Sequence, residues 1–566
     1  MTSLRVILLI TLLTAAGLTR SQTSEPALRN PLDIPILLSG NFGELRTNHF
    51  HSGIDLKTMG VEGKSVRAAD DGYVARIVVS PWGYGNVLYI VHPSGLKTVY
   101  GHLQRFNDKI AAYVKEHQYE SEDFSVDISL TPDVFPVQKG DLIAFSGNSG
   151  SSGGPHLHFE VRDAATDDVM DPLRYYKDMI RDSRPPRMDA FMIYPFEGKG
   201  AVNGGSRPAE LKFTTAKDGS RTLQGKAEAW GEVGIALKAY DYMDGTTNIY
   251  GVRQIIMGVD GTIVFNSRLD SFSIWRDARY INSFIDPAQW RDKRAFFMKS
   301  FIEPGNRLQS LSALNRGTLL INEERPYRIT YLVKDAYGNQ AKHTFIVNGK
   351  RQDIAEPDTA GLELFHWRGE NRFGAKGLRL LIPDGNLYDS FRFRYASGND
   401  HPSAPAAVHY LHDAYVPLHG NAQLSIRLSV DSLEDKDKYG IVRLQGSRAI
   451  WLGGKYSKGW IEASVRELGP HTVMTDRTPP EIKPLNPQTW VARKTISFRI
   501  SDNLSGVQSF RGEIDGKYVL FELDGKRALA TYRFDPDRLS RGKHRLAFSL
   551  TDACGNRSVF EHSFSW

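Results

Sequence analysis

One pattern of residues occurs twice in the chain and predicts that much of it is built from repeated β-structure. The segments D-S-R-P-P-R-M, beginning at Asp182, and D-R-T-P-P-E-I, beginning at Asp476, align without a gap. Downstream, GIALKAYDYMDG resembles KTISFRISDNLSG, and YLVKDAYGN, ending at Asn339, resembles FSLTDACGN, ending at Asn556. Because three similarities follow in the same order, the sequence predicts an internal duplication.

Both copies contain short runs in which apolar and polar residues alternate, as in ISFRI at 496–500. Such runs, interrupted by Asp, Gly and Asn, are typical of antiparallel β-sandwiches, and they resemble the immunoglobulin-like and fibronectin-like modules of bacterial surface proteins. The first copy is about forty residues longer, judged by its Asp241-to-Asp335 spacing against Asp502-to-Asp552. Between the copies, LSIRLSV, YGIVRL and AIWLGG predict a third β module.

Composition excludes several classes of protein. The 566 residues exceed the size of one domain, and the 41% apolar and 24% charged fractions exclude a disordered chain, a collagen-like chain and a polytopic membrane protein. The net charge of +6 is spread along the chain, so nucleic acid is not an expected partner. With one cysteine, Cys554, no intrachain disulfide can form.

The N-terminus predicts export. Arg5 precedes thirteen uncharged residues, VILLITLLTAAGL, which are too few to span a bilayer comfortably but fit the apolar core of a signal peptide. Small residues follow, and we expect cleavage after Ser21. The alternative is an uncleaved N-terminal anchor. No other apolar run reaches membrane length, so we expect no stable transmembrane segment once the signal is removed.

Residues able to bind metal or move protons are concentrated in the first 180 positions. They are His51 and Asp55 in H-S-G-I-D, His102 in Y-G-H-L, and His156, His158 and Glu160 in G-P-H-L-H-F-E. The apolar residues that flank His156 and His158 favour a strand, on which both imidazoles point to one face about 6.6 Å apart. On a regular strand His51 and Asp55 would be about 13 Å apart, so we expect Gly53 to allow a bend that brings them together.

Taken together, these motifs resemble the lysostaphin/LytM-type zinc endopeptidases, which cut bacterial cell-wall peptides. The resemblance covers roughly residues 30–176 and implies a mainly β fold: an antiparallel metallopeptidase domain of the duplicated hybrid motif type, followed by β-sandwich modules. It also implies zinc ligands His51, Asp55 and His158, and a catalytic pair, His102 and His156. Glu160 lies on the same predicted strand face and is expected to orient a ligand imidazole.

The resemblance implies peptide hydrolysis by a zinc-activated water, with His156 as general base and protonated His102 stabilising the tetrahedral oxygen. Some members of the family have an upstream tyrosine for that oxygen, where this chain has Asn41-Phe42-Gly43. His49 and His92 are expected to be spectators. The insertion after His102 contains a helix-like stretch, FNDKIAAYVKEHQ, and a strand-like stretch, SVDISL. It is either a decoration or a wall of the substrate cleft.

The sequence thus predicts a signal peptide at 1–21, a peptidase domain at 22–182, an immunoglobulin-like sandwich with an insertion at 183–350, a β-rich module at 351–475, and a second immunoglobulin-like sandwich at 476–566. The expected function is an exported zinc metalloendopeptidase acting on peptidoglycan cross-links or stem peptides in the bacterial periplasm or envelope. The β modules are expected to bind an envelope protein or glycan. A catalytically silent scaffold that binds or regulates cell-wall hydrolysis is the alternative, and cleavage of glycine-rich proteins fits the same residues.

Overall fold

The computed structural model describes residues 26–357, 359–398 and 404–566. The expected signal peptide at 1–21 lies outside the described residues. The described part is mainly β, and its strands pair antiparallel except for one short parallel contact. The expected mainly β, antiparallel fold is therefore confirmed. None of the helices in the described ranges is long and apolar enough to cross a membrane.

The N-terminal region is built around one large antiparallel sheet. The strands of this region are β1 Leu38–Gly40, β2 Leu45–Arg46, β3 His49–Phe50, β4 Ile54–Lys57, β5 Ser65–Arg67, β6 Gly72–Val79, β7 Asn86–Val91, β8 Leu96–Phe106, β9 Val126–Ser129, β10 Pro136–Val137, β11 Leu142–Ser146, β12 His156–Asp163 and β13 Val169–Met170. The central order is β1-β4-β12-β8-β7-β6-β10. Buried apolar side chains such as Leu56, Leu157 and Phe159 form the core beneath one face of this sheet.

The predicted helix and strand of the insertion are both present. Helix α1, Asp108–Glu120, begins where the Asn107 side chain accepts a hydrogen bond from the backbone N–H of Ile110. Ile110, Val114 and Gln118 are spaced four residues apart and form its buried face. The SVDISL stretch becomes β9, which pairs with β6. The insertion thus extends the sheet and places a helix over its far end.

The next region holds the longer copy of the duplication. Its strands are β14 Arg187–Val202, β15 Ala209–Thr215, β16 Arg221–Gln224, β17 Glu228–Tyr240, β18 Gln254–Val259, β19 Thr262–Arg268, β20 Ser271–Phe272, β21 Met298–Lys299, β22 Leu311–Ala313, β23 Leu319–Ile321, β24 Pro326–Lys334 and β25 Gln340–Gly349. The extra residues of this copy lie between β19 and β24 and contain α2, Ile281–Phe284, and α3, Pro287–Lys293. Strand β20 pairs with β13 and so joins this copy to the N-terminal sheet.

The third region forms two five-stranded sheets around a shared core. Its strands are β26 Glu363–Phe365, β27 Asn371–Ala375, β28 Leu378–Ile382, β29 Phe391–Phe393, β30 Tyr395–Gly398, β31 Val408–Leu411, β32 Pro417–Arg427, β33 Tyr439–Gln445, β34 Arg448–Gly453, β35 Lys455–Ser457, β36 Trp460–Glu467 and β37 Gly469–Thr475. The β-rich character predicted between the two copies is therefore present.

The last region is the shorter copy, with two four-stranded antiparallel sheets that enclose their own core. Its elements are β38 Glu481–Pro484, α4 Trp490–Arg493, β39 Thr495–Ser501, β40 Val507–Ile514, β41 Lys517–Val519, β42 Glu522–Asp524, β43 Leu529–Arg533, β44 Lys543–Asp552 and β45 Arg557–Ser565. Ion pairs with α1 and with the turn after it join this region to the N-terminal region: Lys115–Asp535 at 2.6 Å, Arg538–Glu116 at 2.7 Å and, in the turn, Arg511–Glu122 at 2.7 Å.

Candidate metal centre

Three donor atoms from two neighbouring strands and the turn before them converge at one point. The Nε2 of His51 lies 3.1 Å from Asp55 Oδ1 and 3.2 Å from His158 Nδ1, and the last two atoms are 3.0 Å apart. Asp55 on β4 and His158 on β12 are directly paired across the sheet. All three residues are buried, with 3–7% of their surface exposed. The structure thus brings together the three residues expected to be ligands.

The bend expected at Gly53 is present, since the chain leaves strand geometry between β3 and β4. The reason is close packing rather than an unusual backbone angle. A Cβ on Gly53 would lie 2.3 Å from the carbonyl oxygen of Phe159, which is too short for any side chain. This close approach lets His51 fold back over the sheet, so that its ring reaches Asp55.

A backbone or carboxylate oxygen holds the outer nitrogen of each imidazole. His51 Nδ1 donates to Asn41 O at 2.7 Å, His156 Nδ1 donates to Gly154 O at 2.8 Å, and His102 Nδ1 donates to Ser149 O at 2.9 Å. His158 uses its other nitrogen, since its Nε2 donates to Glu160 Oε1 at 2.9 Å. Because these oxygens accept only, each outer nitrogen must carry the proton. The remaining nitrogen of each ring is therefore free to bind a cation or accept a proton.

Glu160 contacts His158 and is the centre of a buried polar network. It is fully buried, and besides His158 it accepts hydrogen bonds from Ser52 Oγ at 2.5 Å, Tyr84 OH at 2.6 Å and Arg162 Nε at 2.6 Å. Burial opposes its charge, but Arg162 and His158 hold the pKa of Glu160 well below its usual range. The expected contact between Glu160 and a ligand imidazole is thus present.

The electrostatics of the site favour a cation. Burial opposes the charge of Asp55, but the imidazoles of His51, His156 and His158 hold its pKa well below the ordinary value. Burial likewise works against protonation of His158, yet hydrogen bonds and charges from Asp55 and Glu160 outweigh it and raise the His158 pKa to about 9. Positive charge at this point is therefore stabilised by two buried carboxylates.

His102 and His156 lie beside the three converging atoms. Their ring centroids are 4.9 Å apart, and His156 Nε2 is 3.4 Å from Asp55 Oδ1. His102 has a left-handed backbone, with φ of 57°, at a point where its N–H leaves the β8 ladder and donates to Tyr84 O. A non-glycine residue in this conformation is uncommon and is typical of functional positions.

The packing of the site affects the charge of His102. Burial first, and then the neighbouring His158 and His156, lower the pKa of His102 to about 3. The resting ring is therefore neutral, and the role of a protonated His102 at the tetrahedral stage stays a prediction. Desolvation is the physical reason for the low pKa, and it depends on packing that the motif Y-G-H-L does not reveal.

Several contacts of the site were not anticipated. Arg46 Nη2 lies 3.1 Å from Asp55 Oδ2, which leaves Oδ1 directed at the two imidazoles. The Tyr84 ring stacks on His158 with centroids 5.0 Å apart, and its hydroxyl bonds Ser52 and Glu160. Asn41 does not substitute for a tyrosine, because its side chain bonds the backbone of Gly251. His49 is exposed and bonds only Thr47 O among the described contacts, as expected of a spectator.

A cavity of about 640 Å³ lies between the N-terminal region and the last region. Its walls come from α1, from the loop at 148–150 and from the last region, including Leu523 and Lys526. Lys526 Nζ donates to Asn148 O and, at 2.9 Å, to Ser152 O. Ser149, whose carbonyl holds His102, also lines the cavity. The insertion and the last region thus share a wall of this cavity, which touches the site only through Ser149 and is not lined by His102 or His156.

Comparison with known proteins agrees with this geometry. Residues 49–119 match Peptidase family M23, and residues 362–476 match the Zu5-like domain. DD-carboxypeptidase/endopeptidase Mpg of Neisseria meningitidis serogroup B is 34% identical over 118 residues, covering 21% of this chain and 21% of that protein. Lysostaphin of Staphylococcus simulans is 28% identical over 130 residues, covering 22% of this chain and 21% of that protein. The chain spans about a fifth of the length of these relatives.

Similar solved structures include the catalytic domain of lysostaphin from Staphylococcus simulans, at 22% identity and a TM-score of 0.19, covering 25% of this chain and 92% of that one. A zinc containing peptidase from Vibrio cholerae is 29% identical with a TM-score of 0.18, covering 24% of this chain and 37% of that one. The family match at 49–119 includes His51, Asp55 and His102, three of the residues expected from the sequence motifs. Residues 49–119 of the chain are therefore similar to peptidase family M23.

Proposed function

We propose that this chain is an exported zinc metalloendopeptidase that hydrolyses peptide bonds in peptidoglycan cross-links or stem peptides. The observation that carries the proposal is the convergence of His51 Nε2, Asp55 Oδ1 and His158 Nδ1 within 3.2 Å of one another. The substrate class is supported by the relatives of its M23 domain, which are named a DD-carboxypeptidase/endopeptidase and lysostaphin.

The three residues fit a zinc ion. Ligands at about 2.0–2.1 Å in a tetrahedral site lie roughly 3.3 Å apart, close to the 3.0–3.2 Å between these donor atoms. Two imidazoles and one carboxylate are a ligand set of catalytic zinc sites. Zinc held there would polarise a peptide carbonyl and lower the pKa of water to about 7. Arg46 and Glu160 would fix the orientations of the Asp55 and His158 ligands.

His102 and His156 would move the proton. His156 presents an unprotonated Nε2, because Gly154 O holds its Nδ1 proton, and this nitrogen can accept a proton from the attacking water. The proton accepted by His156 would then pass to the leaving amine, either directly or through the adjacent His102, whose ring centroid lies 4.9 Å away. Once protonated, His102 Nε2 can also donate a hydrogen bond to the tetrahedral oxygen.

We further propose that the domains divide at residues 182, 350 and 475, and that the 106–134 insertion forms a wall of the substrate cleft. The support is the cavity that joins α1, the 148–150 loop and the last region. Its volume suits an extended peptide of a few residues. In this proposal the remaining β modules position the enzyme in the periplasm or envelope against a protein or glycan.

The test is mass spectrometry of fragments from cross-linked peptidoglycan incubated with the zinc-loaded protein, with His156→Ala as the control. We expect new amine termini that only the unmutated protein releases, and their identity names the bond cleaved. A folded protein that binds zinc but cleaves none of several cell-wall chemistries would contradict the proposal. That result would favour the scaffold function or a different peptide substrate, such as a glycine-rich protein.

A further inference from the structure

A cluster of three aspartates lies where the chain enters the longer copy of the duplication. Asp182 lies in the segment that leads to β14, Asp241 directly follows β17, and Asp335 directly follows β24. One carboxylate oxygen from each lies within 4.8 Å of the other two. Asp241 and Asp335 are 3% and 2% exposed, so two of the three carboxylates are almost fully removed from water.

A second cluster lies at the entry to the shorter copy. Asp476 follows β37 and precedes β38, Asp502 directly follows β39, and Asp552 is the last residue of β44. Their carboxylate oxygens also lie within 4.8 Å of one another. Asp476 and Asp552 are 1% and 2% exposed. Each cluster therefore joins one linker residue to the ends of two strands.

The two clusters lie at equivalent positions and make equivalent hydrogen bonds. Asn339 Nδ2 donates to Asp335 Oδ2 at 2.8 Å and to Asp182 O at 3.1 Å. In the other copy, Asn556 Nδ2 donates to the equivalent atoms of Asp552 and Asp476, at 2.7 and 3.1 Å. The same arrangement has thus been kept in two copies whose lengths differ by about forty residues.

These carboxylates have hydrogen-bond donors but no ion-pair partner. No lysine, arginine or histidine of the described residues places a nitrogen within 4.0 Å of a carboxylate of either cluster. The donors are backbone N–H groups of the adjoining turns, such as Gly338 for Asp335 and Gly506 for Asp502, and the two asparagines. A concentration of buried negative charge without a counter-ion is costly, and in proteins such charges are paired or bind metals.

Unsatisfied oxygens point independently to a missing ligand. Oδ1 of Asp241 is buried and accepts no hydrogen bond within the described ranges, and the same holds for Oδ2 of Asp182 and Oδ1 of Asp502. An orphaned carboxylate oxygen in a side chain that is 97% buried needs a donor or a cation.

We propose that each cluster binds one Ca²⁺ ion. All the side-chain donors are oxygens, which hard cations prefer, whereas structural zinc sites use nitrogen and sulfur. Three carboxylates in one site exceed the one or two that Mg²⁺ usually takes together with its waters, and they suit the larger Ca²⁺ coordination shell. These sites are separate from the M23 centre and do not depend on its activity.

Bound Ca²⁺ would fix the linkers. The ion would connect the aspartate that lies three residues before each proline pair, at 185–186 and 479–480, to the strand ends of the module that follows. The orientation of each copy of the duplication relative to the region before it would then depend on the cation. Modules outside the cell bind Ca²⁺ with dissociation constants of about 0.1–1 mM, and we expect this range.

The test is a calorimetric titration of the full chain, stripped of metals and reloaded with one equivalent of zinc, with Ca²⁺ in the presence of equimolar Mg²⁺. We expect two Ca²⁺ per chain. The isosteric variants Asp241→Asn and Asp502→Asn should each lose one site, and the double variant should lose both. His51→Ala, which alters only the M23 centre, and Asp218→Asn, in an exposed turn, should keep both sites.

No heat of binding up to about 10 mM Ca²⁺, ten times the weak end of the expected range, would overturn the proposal. So would two sites that survive in the double variant, or displacement of Ca²⁺ by equimolar Mg²⁺. Circular dichroism identifies a variant that fails to fold. In that case the proposal is tested on the unmutated chain, whose melting temperature should rise with Ca²⁺. If the carboxylates instead share protons, Asp241→Asn raises the melting temperature without Ca²⁺, and the proposal fails.

Discussion

His51 and His158 are 107 residues apart in the chain, yet their ring nitrogens approach to 3.2 Å. The contact exists because Gly53 lets the turn before β4 lie against the carbonyl of Phe159. His158 is at the same time held by Glu160. The two imidazoles are therefore positioned by different parts of the fold, and each support can be tested separately.

His51→Ala should remove nearly all bound zinc while the fold is kept, because it deletes one of three ligands. The measurement is zinc content by mass spectrometry, with circular dichroism as the check on folding. His49→Ala is the matched control, since His49 lies two residues away, is exposed and bonds only Thr47 O among the described contacts. Equal zinc in both variants would contradict the assignment of His51 as a ligand.

Glu160→Gln should weaken zinc binding by about 10- to 100-fold, the usual effect of losing a carboxylate that orients a ligand imidazole. Arg162 keeps its ion pair with Asp167 at 2.9 Å, so the buried guanidinium is not left without a carboxylate. Competition with a zinc chelator measures the affinity. Glu120→Gln, at the exposed end of α1, is the control and should bind zinc normally. An unchanged affinity in Glu160→Gln would remove Glu160 from the site.

His102→Ala and His156→Ala should each lower kcat by about 10²- to 10⁴-fold, because each removes a group that transfers a proton. Zinc content and KM should change little, since neither residue supplies one of the three converging donor atoms. Steady-state kinetics on a peptide identified from the peptidoglycan digest separates kcat from KM. Zinc lost in step with activity would show instead that these histidines are structural parts of the metal centre.

Lys526→Ala should loosen the loop at 148–152 without removing zinc. Its ammonium holds the carbonyls of Asn148 and Ser152 from a distant part of the chain. Because partly exposed charged contacts contribute up to about 1 kcal/mol, amide exchange in this loop should quicken by about fivefold at most. Lys517→Ala, exposed in the same region, is the control. Identical exchange in both variants would mean that the contact does not restrain the loop.

The third region should lose stability between about pH 6.5 and pH 4. His471 is fully buried, and burial lowers its pKa to about 4. In the unfolded chain His471 has its ordinary pKa of about 6.5, so between this pH and pH 4 the unfolded chain binds more protons than the folded chain. The free energy of unfolding therefore falls by about 3 kcal/mol in total as the pH drops through this window. Amide exchange of β33 and β37 at several pH values measures the effect, and His471→Gln should abolish most of it.

The convergence of His51, Asp55 and His158 could be predicted because all three lie in short motifs that resemble those of a known family. The helix α1 could be predicted from its buried positions, spaced four apart, and from its capping Asn107. Arg46 and Tyr84 could not, because their contacts with Asp55 and His158 arise only when separate strands meet. The low pKa of His102 could not be predicted for the same reason, since desolvation is a property of the packed site.

The duplication was visible in the sequence, but its aspartates gave no reason to expect a cation. Asp182, Asp241 and Asp335 are spread over more than 150 residues, and each alone is an ordinary turn residue. Only the sheet topology places the ends of β17 and β24 beside the linker. Repeats that preserve polar residues at strand ends therefore indicate a shared site more strongly than any one copy does.

The contact between Lys526 and Asn148 spans 378 residues of sequence. A ribosome must therefore release almost the whole polypeptide before the rim of the M23 centre reaches its final form. Since closing such a long loop is entropically costly and slow, the rim is expected to assemble last. The order of synthesis thus delays completion of the cleft until every preceding β module has had time to fold.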